Sequence, residues 1–183
     1  MHDTKLNIHQ KQLVLIQSQP GYGKTKLLGT LCKDSKKNNI SLFISESDNN
    51  PVELLKKIVS SLQALKLGVN TAFINQLDNI ALPSLEPIIN SMLDSCLVSK
   101  VHYIFVDDID LLTNESSNKI ISSFIAKPDD PFHLIVTCTK SPNFSYSNLL
   151  LHNQVGMIGE TYLKLPFCDV RNLFDMQGFT QIE

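Results

Sequence analysis

The chain has a single arginine, Arg171, against fifteen lysines. Any site in this chain that needs a guanidinium can therefore draw only on that residue. Cysteine is also sparse: Cys32, Cys96, Cys138 and Cys168 lie far apart and form no Cys-x-x-Cys pair. They read as reduced, small apolar residues of a cytoplasmic protein, not as a disulfide framework or a metal site. The five histidines, His2, His9, His102, His133 and His152, are scattered without ligand spacing. No apolar run approaches the ~18 residues that a membrane span needs. The N-terminal MHDTKLNIHQ lacks the apolar core of a secretory leader. A net charge of -2 gives no electrostatic footprint for nucleic acid.

No internal repeat, low-complexity tract or linker divides the 183 residues. What remains is an ordinary globular composition, 43% hydrophobic and 19% charged. Its length suits one domain, burying roughly 70% of the surface of the unfolded chain. Apolar runs bounded by turn residues recur at Leu13 to Ile16, Ile40 to Ile44, Val101 to Val106 and Leu134 to Thr137. Each reads as a strand buried on both faces. Helical stretches lie between them: Lys24 to about Lys37, Pro51 to about Leu67, Ser84 to about Val98, and Glu115 to Ala126. This alternation predicts an α/β fold with a parallel sheet covered on both sides. Asn50 is placed to cap the second helix, Pro51 suits its first position, and Glu53 can reach back as in a capping box.

Less regular segments remain. A short helix is predicted around Ala72 to Leu77, and Lys127 to Pro131 reads as a sharp stop. Val155 to Glu160 and Thr161 to Leu165 are candidate short strands, and a last helix is predicted over Cys168 to Met176. No closing element is evident beyond it. The chain is therefore expected to be the N-terminal part, residues 1–183, of something longer.

The stretch LVLIQSQPGYGKTKLL, from Leu13 to Leu28, joins an apolar strand to a glycine-bearing turn that opens a helix. In such a turn backbone N–H groups converge on an anion, because glycine accepts positive φ and leaves room for close approach. The helix that follows turns its unpaired N–H groups and positive dipole end to the same anion. Gly21, Tyr22, Gly23, Lys24, Thr25 and Lys26 are the candidate nucleotide-binding residues. Lys24 is placed for the β- and γ-phosphates, and the Thr25 hydroxyl for Mg²⁺. Ser18 stands where the usual Gly-x-x-x-x-Gly-Lys-Ser/Thr pattern has its first glycine. A bare Gly-Lys-Thr also occurs in ordinary exposed turns; here the flanking strand and helix supply the context.

Further along, VHYIFVDD, from Val101 to Asp108, is an apolar strand ending in paired carboxylates. A carboxylate at the carboxyl end of a buried parallel strand faces the crevice where α/β sheets bind ligands. Asp107 is the candidate Mg²⁺ ligand, through water. Asp108 is the candidate catalytic residue, polarising the attacking water. The alternative is that Asp107, Asp108 and Asp110 merely cap a strand end and solvate a loop; on either reading Asp110 is a loop or helix-cap residue, not a ligand. If the sheet has the strand order of the P-loop class that these motifs suggest, the strand at Leu134 to Thr139 lies between the two motif-bearing strands. Its end would bring Thr139 or Lys140 near a terminal phosphate.

Together with ISESDNNPVELLKKIVSSLQAL, YIFVDDIDLL and IAKPDDPFHLIVTCTKSPNF, these motifs resemble the ATPase domain of the signal-transduction NTPases with numerous domains, the STAND class. Within it they are similar to the MalT-like, LuxR-type bacterial transcriptional regulators. The likeness extends more weakly through GMIGETYLKLPFCDVRNLF. The resemblance implies a P-loop NTPase fold, a three-layer αβα sandwich with a mainly parallel five-stranded sheet. It implies ATP or ADP with Mg²⁺ as ligands, self-association in the ATP state, and weak ATP hydrolysis or none. Relatives carry an arginine at the end of the fourth strand, where this chain has Thr139 and Lys140. DNA contact would reside in C-terminal modules absent from this chain, and no membrane partner is implied. An AAA-like P-loop ATPase that remodels a partner, with Arg171 as its finger, and a degenerate P-loop interaction module are the alternatives.

Overall fold

A computed structural model describes residues 10–35, 38–65, 85–98, 100–126 and 131–164. Strands form where the apolar runs stand: β1 (Leu13–Gln17), β2 (Asn38–Phe43), β3 (Val101–Asp107), β4 (His133–Cys138) and β5 (Val155–Ile158). They make one five-stranded sheet in the order β2-β3-β4-β1-β5. Every pairing is parallel. The fold is α/β and consistent with a P-loop-like architecture, and β4 lies between β1 and β3 as the strand order of that class predicts. Six helices accompany the sheet among the described residues: α1 (Lys24–Asp34), α2 (Pro51–Ala64), α3 (Leu85–Val98), α4 (Glu115–Ser122), α5 (Ser147–Leu151) and α6 (Glu160–Leu163).

Successive strand residues point to opposite faces, and this alternation sorts the apolar side chains into two cores. Leu13, Leu15, Ile104, Val106, Leu134 and Val136 pack with Leu54 and Ile58 of α2, Met92 of α3 and Ile120 of α4. Val14, Ile16, Tyr103, Phe105 and Ile135 pack on the other face with Leu28 and the half-buried Leu27 and Leu31 of α1. The sheet is thus the middle of three layers. Cys96 and Cys138 are fully buried in the first core. Burial pushes the Cys96 thiol up to about 12; burial, with some help from the Asp110 charge, pushes Cys138 up to about 11. Both are neutral packing residues.

Three expectations need correction. β2 is not buried on both faces: it is an edge strand, and its burial alternates, with Ile40 and Leu42 inside and Phe43 64% exposed. The reason is that α1 lies over β3 and β4, not over the far edge of the sheet. The predicted strand from Thr161 to Leu165 is instead α6 through Leu163, while Leu165 lies outside the described residues. Tyr162 N–H bonds back to Gly159 O at 3.0 Å and Lys164 N–H to Glu160 O at 2.9 Å, closing local turns where a ladder was expected. Glu53, expected to reach back to the cap of α2, faces the Lys56 ammonium at 3.2 Å. Asn50 does cap that helix, its side chain accepting from Val52 N–H at 3.0 Å, with Pro51 at the first position. The helices predicted over 72–77 and 168–176, and Arg171, lie outside the described residues.

After β2 the chain turns through a 3₁₀ segment, Glu46–Asn49. Asp48 is buried there and accepts hydrogen bonds from the Ser45 N–H at 2.7 Å, the Ser45 hydroxyl at 2.8 Å and the Lys57 ammonium. Burial alone would raise this carboxyl, but Lys57 and Ser45 outweigh it and hold it below its ordinary value of 3.8. A depressed folded-state pKa means that the contribution is present above that ordinary value. It is lost as pH falls through the lower folded one. Lys57→Met leaves the buried carboxylate without its cation and is expected to cost roughly 2 kcal/mol at pH 7. The loss should shrink in acid as Asp48 takes up a proton. Urea unfolding midpoints measured across pH check this, and a midpoint unchanged at pH 7 contradicts it.

Candidate functional site

β1 ends at Gln17, and the chain turns through Ser18–Gly23 into α1. Ser18 is buried, and its N–H bonds to Cys138 O at 3.3 Å, extending the β1–β4 ladder by one step. A small residue suits that packed position, so serine serves in place of glycine. Gly21 and Gly23 adopt φ of 91° and 80°. A Cβ on either would meet nothing within 4 Å, so the backbone angle rather than space requires glycine. No side chain caps the start of α1, which leaves its first N–H groups for an outside acceptor. The Lys24 side chain is only 7% exposed. Its ammonium donates to Ser18 O at 2.8 Å and to Gln19 O at 3.2 Å, lying along the inside of the turn.

The acidic side of the site grows from β3 and β4. Odd-numbered residues of both strands face the α1 layer, which puts Asp107 and Thr137 on that side of the sheet. Asp107 is buried. The Thr137 hydroxyl donates to the Asp107 carboxylate and accepts from the Asp108 N–H at 2.8 Å. One hydroxyl therefore fixes both the carboxylate at the end of β3 and the turn that follows. Asp108 sits in the left-handed region, φ 57° and ψ 48°, a conformation uncommon for a residue with a side chain. Asp110, two residues on, accepts from both the Thr139 N–H and the Thr139 hydroxyl at the end of β4. Partial withdrawal from water raises the Asp108 carboxyl above its ordinary value, the charges of Asp107 and Asp110 raise it further, and the Lys24 ammonium offsets part of this.

These turns enclose an open cleft of about 790 Å³, lined by Pro20, Gly21, Gly23, Lys24, Thr25, Lys26, Asp108, Asp110, Leu111 and Thr139. The residues come from the carboxyl ends of β1, β3 and β4. Of the residues singled out from sequence, Gly21, Gly23, Lys24, Thr25, Lys26 and Asp108 meet in one cleft. Tyr22 is half-buried and outside the lining; Asp107 lies behind it, bonded to Thr137. Thr139 faces the cleft, whereas Lys140 is exposed outside the lining. Sequence reasoning set Asp110 aside as a loop or cap residue, yet it lines the cleft and holds Thr139. Its spacing two residues after Asp108 was the available signal, but the partner that gives it meaning is 29 residues away. Among the described residues no group of three or more His, Cys, Asp or Glu side chains is arranged to hold a metal ion by itself. No described helix is long and apolar enough to cross a membrane.

No protein-family model matches the chain. It is 23% identical over 176 residues to the HTH-type transcriptional regulator MalT of two strains of Klebsiella pneumoniae. The match covers 94% of this chain but 19% of the length of those relatives. The similarity is distant, and the chain spans about a fifth of the length of these relatives.

The raised Asp108 pKa has a consequence for stability. An acid whose pKa is higher folded than unfolded opposes folding once it ionises, so Asp108 weakens the fold above its folded pKa and not below the unfolded one. Asn keeps the shape and tolerates the left-handed angle. Asp108→Asn is expected to raise the thermal midpoint at pH 7, with the gain disappearing in acid; a lower midpoint at pH 7 contradicts this.

Proposed function

We propose that this chain is the Mg-ATP- and ADP-binding switch domain of a STAND-type, MalT-like transcriptional regulator. One observation carries the reading: the glycine turn with Lys24 and Thr25, and the acidic turn with Asp108, wall the same cleft at the carboxyl ends of parallel strands. That is where α/β sheets bind ligands. The distant similarity to MalT supports the regulatory half of the reading. DNA contact and signal sensing are assigned to parts of such a regulator beyond this domain.

The roles follow from the donors present. The amides from Gly21 to Thr25 meet the phosphate oxygens, with the dipole of α1 behind them. Lys24 exchanges the carbonyls of Ser18 and Gln19 for the β- and γ-phosphates, which are stronger charge-assisted partners. Mg²⁺ would be held by the Thr25 hydroxyl and, through water, by Asp107. The oxygen-only donor set fits an ion that keeps several waters and takes few protein ligands. When bound it would neutralise charge on the β- and γ-phosphates. Asp108 faces the cleft with a raised pKa and is assigned to orienting and deprotonating water. Thr139, the terminal residue of the β4 side, senses the γ-phosphate. Because no arginine stands there, charge in the transition state is poorly matched and hydrolysis is slow or absent in isolation. ATP binding then favours self-association.

The test is nucleotide affinity. Wild type should bind Mg-ADP and Mg-ATP. Lys24→Ala should weaken both by at least about a hundredfold, the ~3 kcal/mol of a charged contact to phosphate, with circular dichroism confirming that the fold persists. Equal affinity in the two proteins overturns the reading.

A further inference from the structure

Asn49, at the end of the 3₁₀ segment after β2, holds the far end of the acidic turn from outside the cleft. Its Oδ1 accepts from the Thr113 N–H at 2.7 Å, the Asn114 N–H at 2.9 Å and the Thr113 hydroxyl at 3.2 Å. Its Nδ2 donates to Leu111 O at 3.0 Å and to Glu46 O at 3.3 Å. Both donor protons and both lone-pair directions of the amide are thereby used. Leu111 is itself a cleft residue, and its N–H closes the turn on Asp108 O at 3.1 Å. Asn49 therefore grips the far end of the turn that carries Asp108 and Asp110. The grip spans more than sixty residues of sequence, between the loop after β2 and the loop after β3. Two further amides brace the next carbonyl: Asn118 and Asn143 both donate to Leu112 O, at 3.0 and 2.9 Å.

We propose that Asn49 is a positioning residue for the divalent cation at the cleft. It does not touch the cleft. By fixing Leu111 and Thr113 it steadies the turn that follows Asp107, whose carboxylate shares the Thr137 hydroxyl with the Asp108 N–H, and so sets how much a cation held by Thr25 and Asp107 adds to nucleotide affinity. A left-handed Asp108 beside two other carboxylates would relax away from its position if its far anchor were cut. This inference rests on the nucleotide reading above.

The readout is the ratio of ADP affinities measured with Mg²⁺ and with EDTA, together with urea stability. The glycine turn and Lys24 carry the Mg²⁺-free affinity, so Asn49→Ala should leave that affinity within about twofold while lowering the Mg²⁺ enhancement about tenfold, the size typical of lost outer-shell support. Asn49→Asp keeps the accepting oxygen and loses the bonds donated to Leu111 O and Glu46 O; its enhancement should fall between the other two, and it serves if the alanine variant does not fold. Lys57→Met, which weakens the same loop through Asp48 without cutting the clasp, should keep the wild-type ratio. An enhancement retained in both Asn49 variants overturns the inference alone. So does an equal loss of enhancement in Lys57→Met, which would make the effect general destabilisation. A wild type that binds no nucleotide overturns the reading beneath it as well.

Discussion

Everything at the cleft depends on the parallel pairing of β3, β4 and β1 in one register. Val106 stands beside Val136, and Cys138 beside Gln17. Three chain reversals therefore leave the sheet at one level and on one edge. The ladder hydrogen bonds set this level, and the bond from Ser18 N–H to Cys138 O carries it one residue further. The basic turn, the acidic turn and Thr139 meet for no other reason. Period-two alternation then decides which side each end residue faces, and it puts Asp107 and Thr137 beneath the start of α1.

Several features that oppose folding gather at the same edge. Gly21, Gly23 and Asp108 all have positive φ. Three carboxylates crowd one turn, Lys24 is nearly buried among carbonyls, and α1 begins without a side-chain cap. The two apolar cores on either face hold this arrangement in place, with the fully buried Phe105 on one side and Phe124 on the other. The left-handed Asp108 and the crowded like charge cost stability in the protein alone.

Local patterns were legible in the sequence. Runs such as Leu13 to Ile16 and Val101 to Val106 announced buried parallel strands, and the Pro-Gly-Tyr-Gly-Lys-Thr turn between strand and helix announced the basic side of the cleft. The central place of β4 was expected only through the strand order of the P-loop class that those motifs suggest. Relations across the chain were not legible. Nothing in Asn38 to Phe43 says that β2 is an edge with one face open, because that depends on the strand order and on how far α1 reaches. Asp110 looked like a loop carboxylate until Thr139 came beside it. Asn49 belonged to a segment read for the helix cap at Asn50 and for its family resemblance; its bonds to Leu111, Thr113 and Asn114 exist only once the sheet has assembled. In Thr161 to Leu163 short-range turn bonds prevailed over β propensity.

The central claim is that the glycine turn receives phosphate opposite the acidic turn. Backbone amide chemical shifts in the ¹⁵N-labelled protein during titration with Mg-ADP test it most directly. The account predicts that Gly21, Gly23, Lys24 and Thr25 shift first and furthest, with Asp108 and Thr139 following. Shifts confined to β5 and α6, or none at saturating nucleotide, would contradict it.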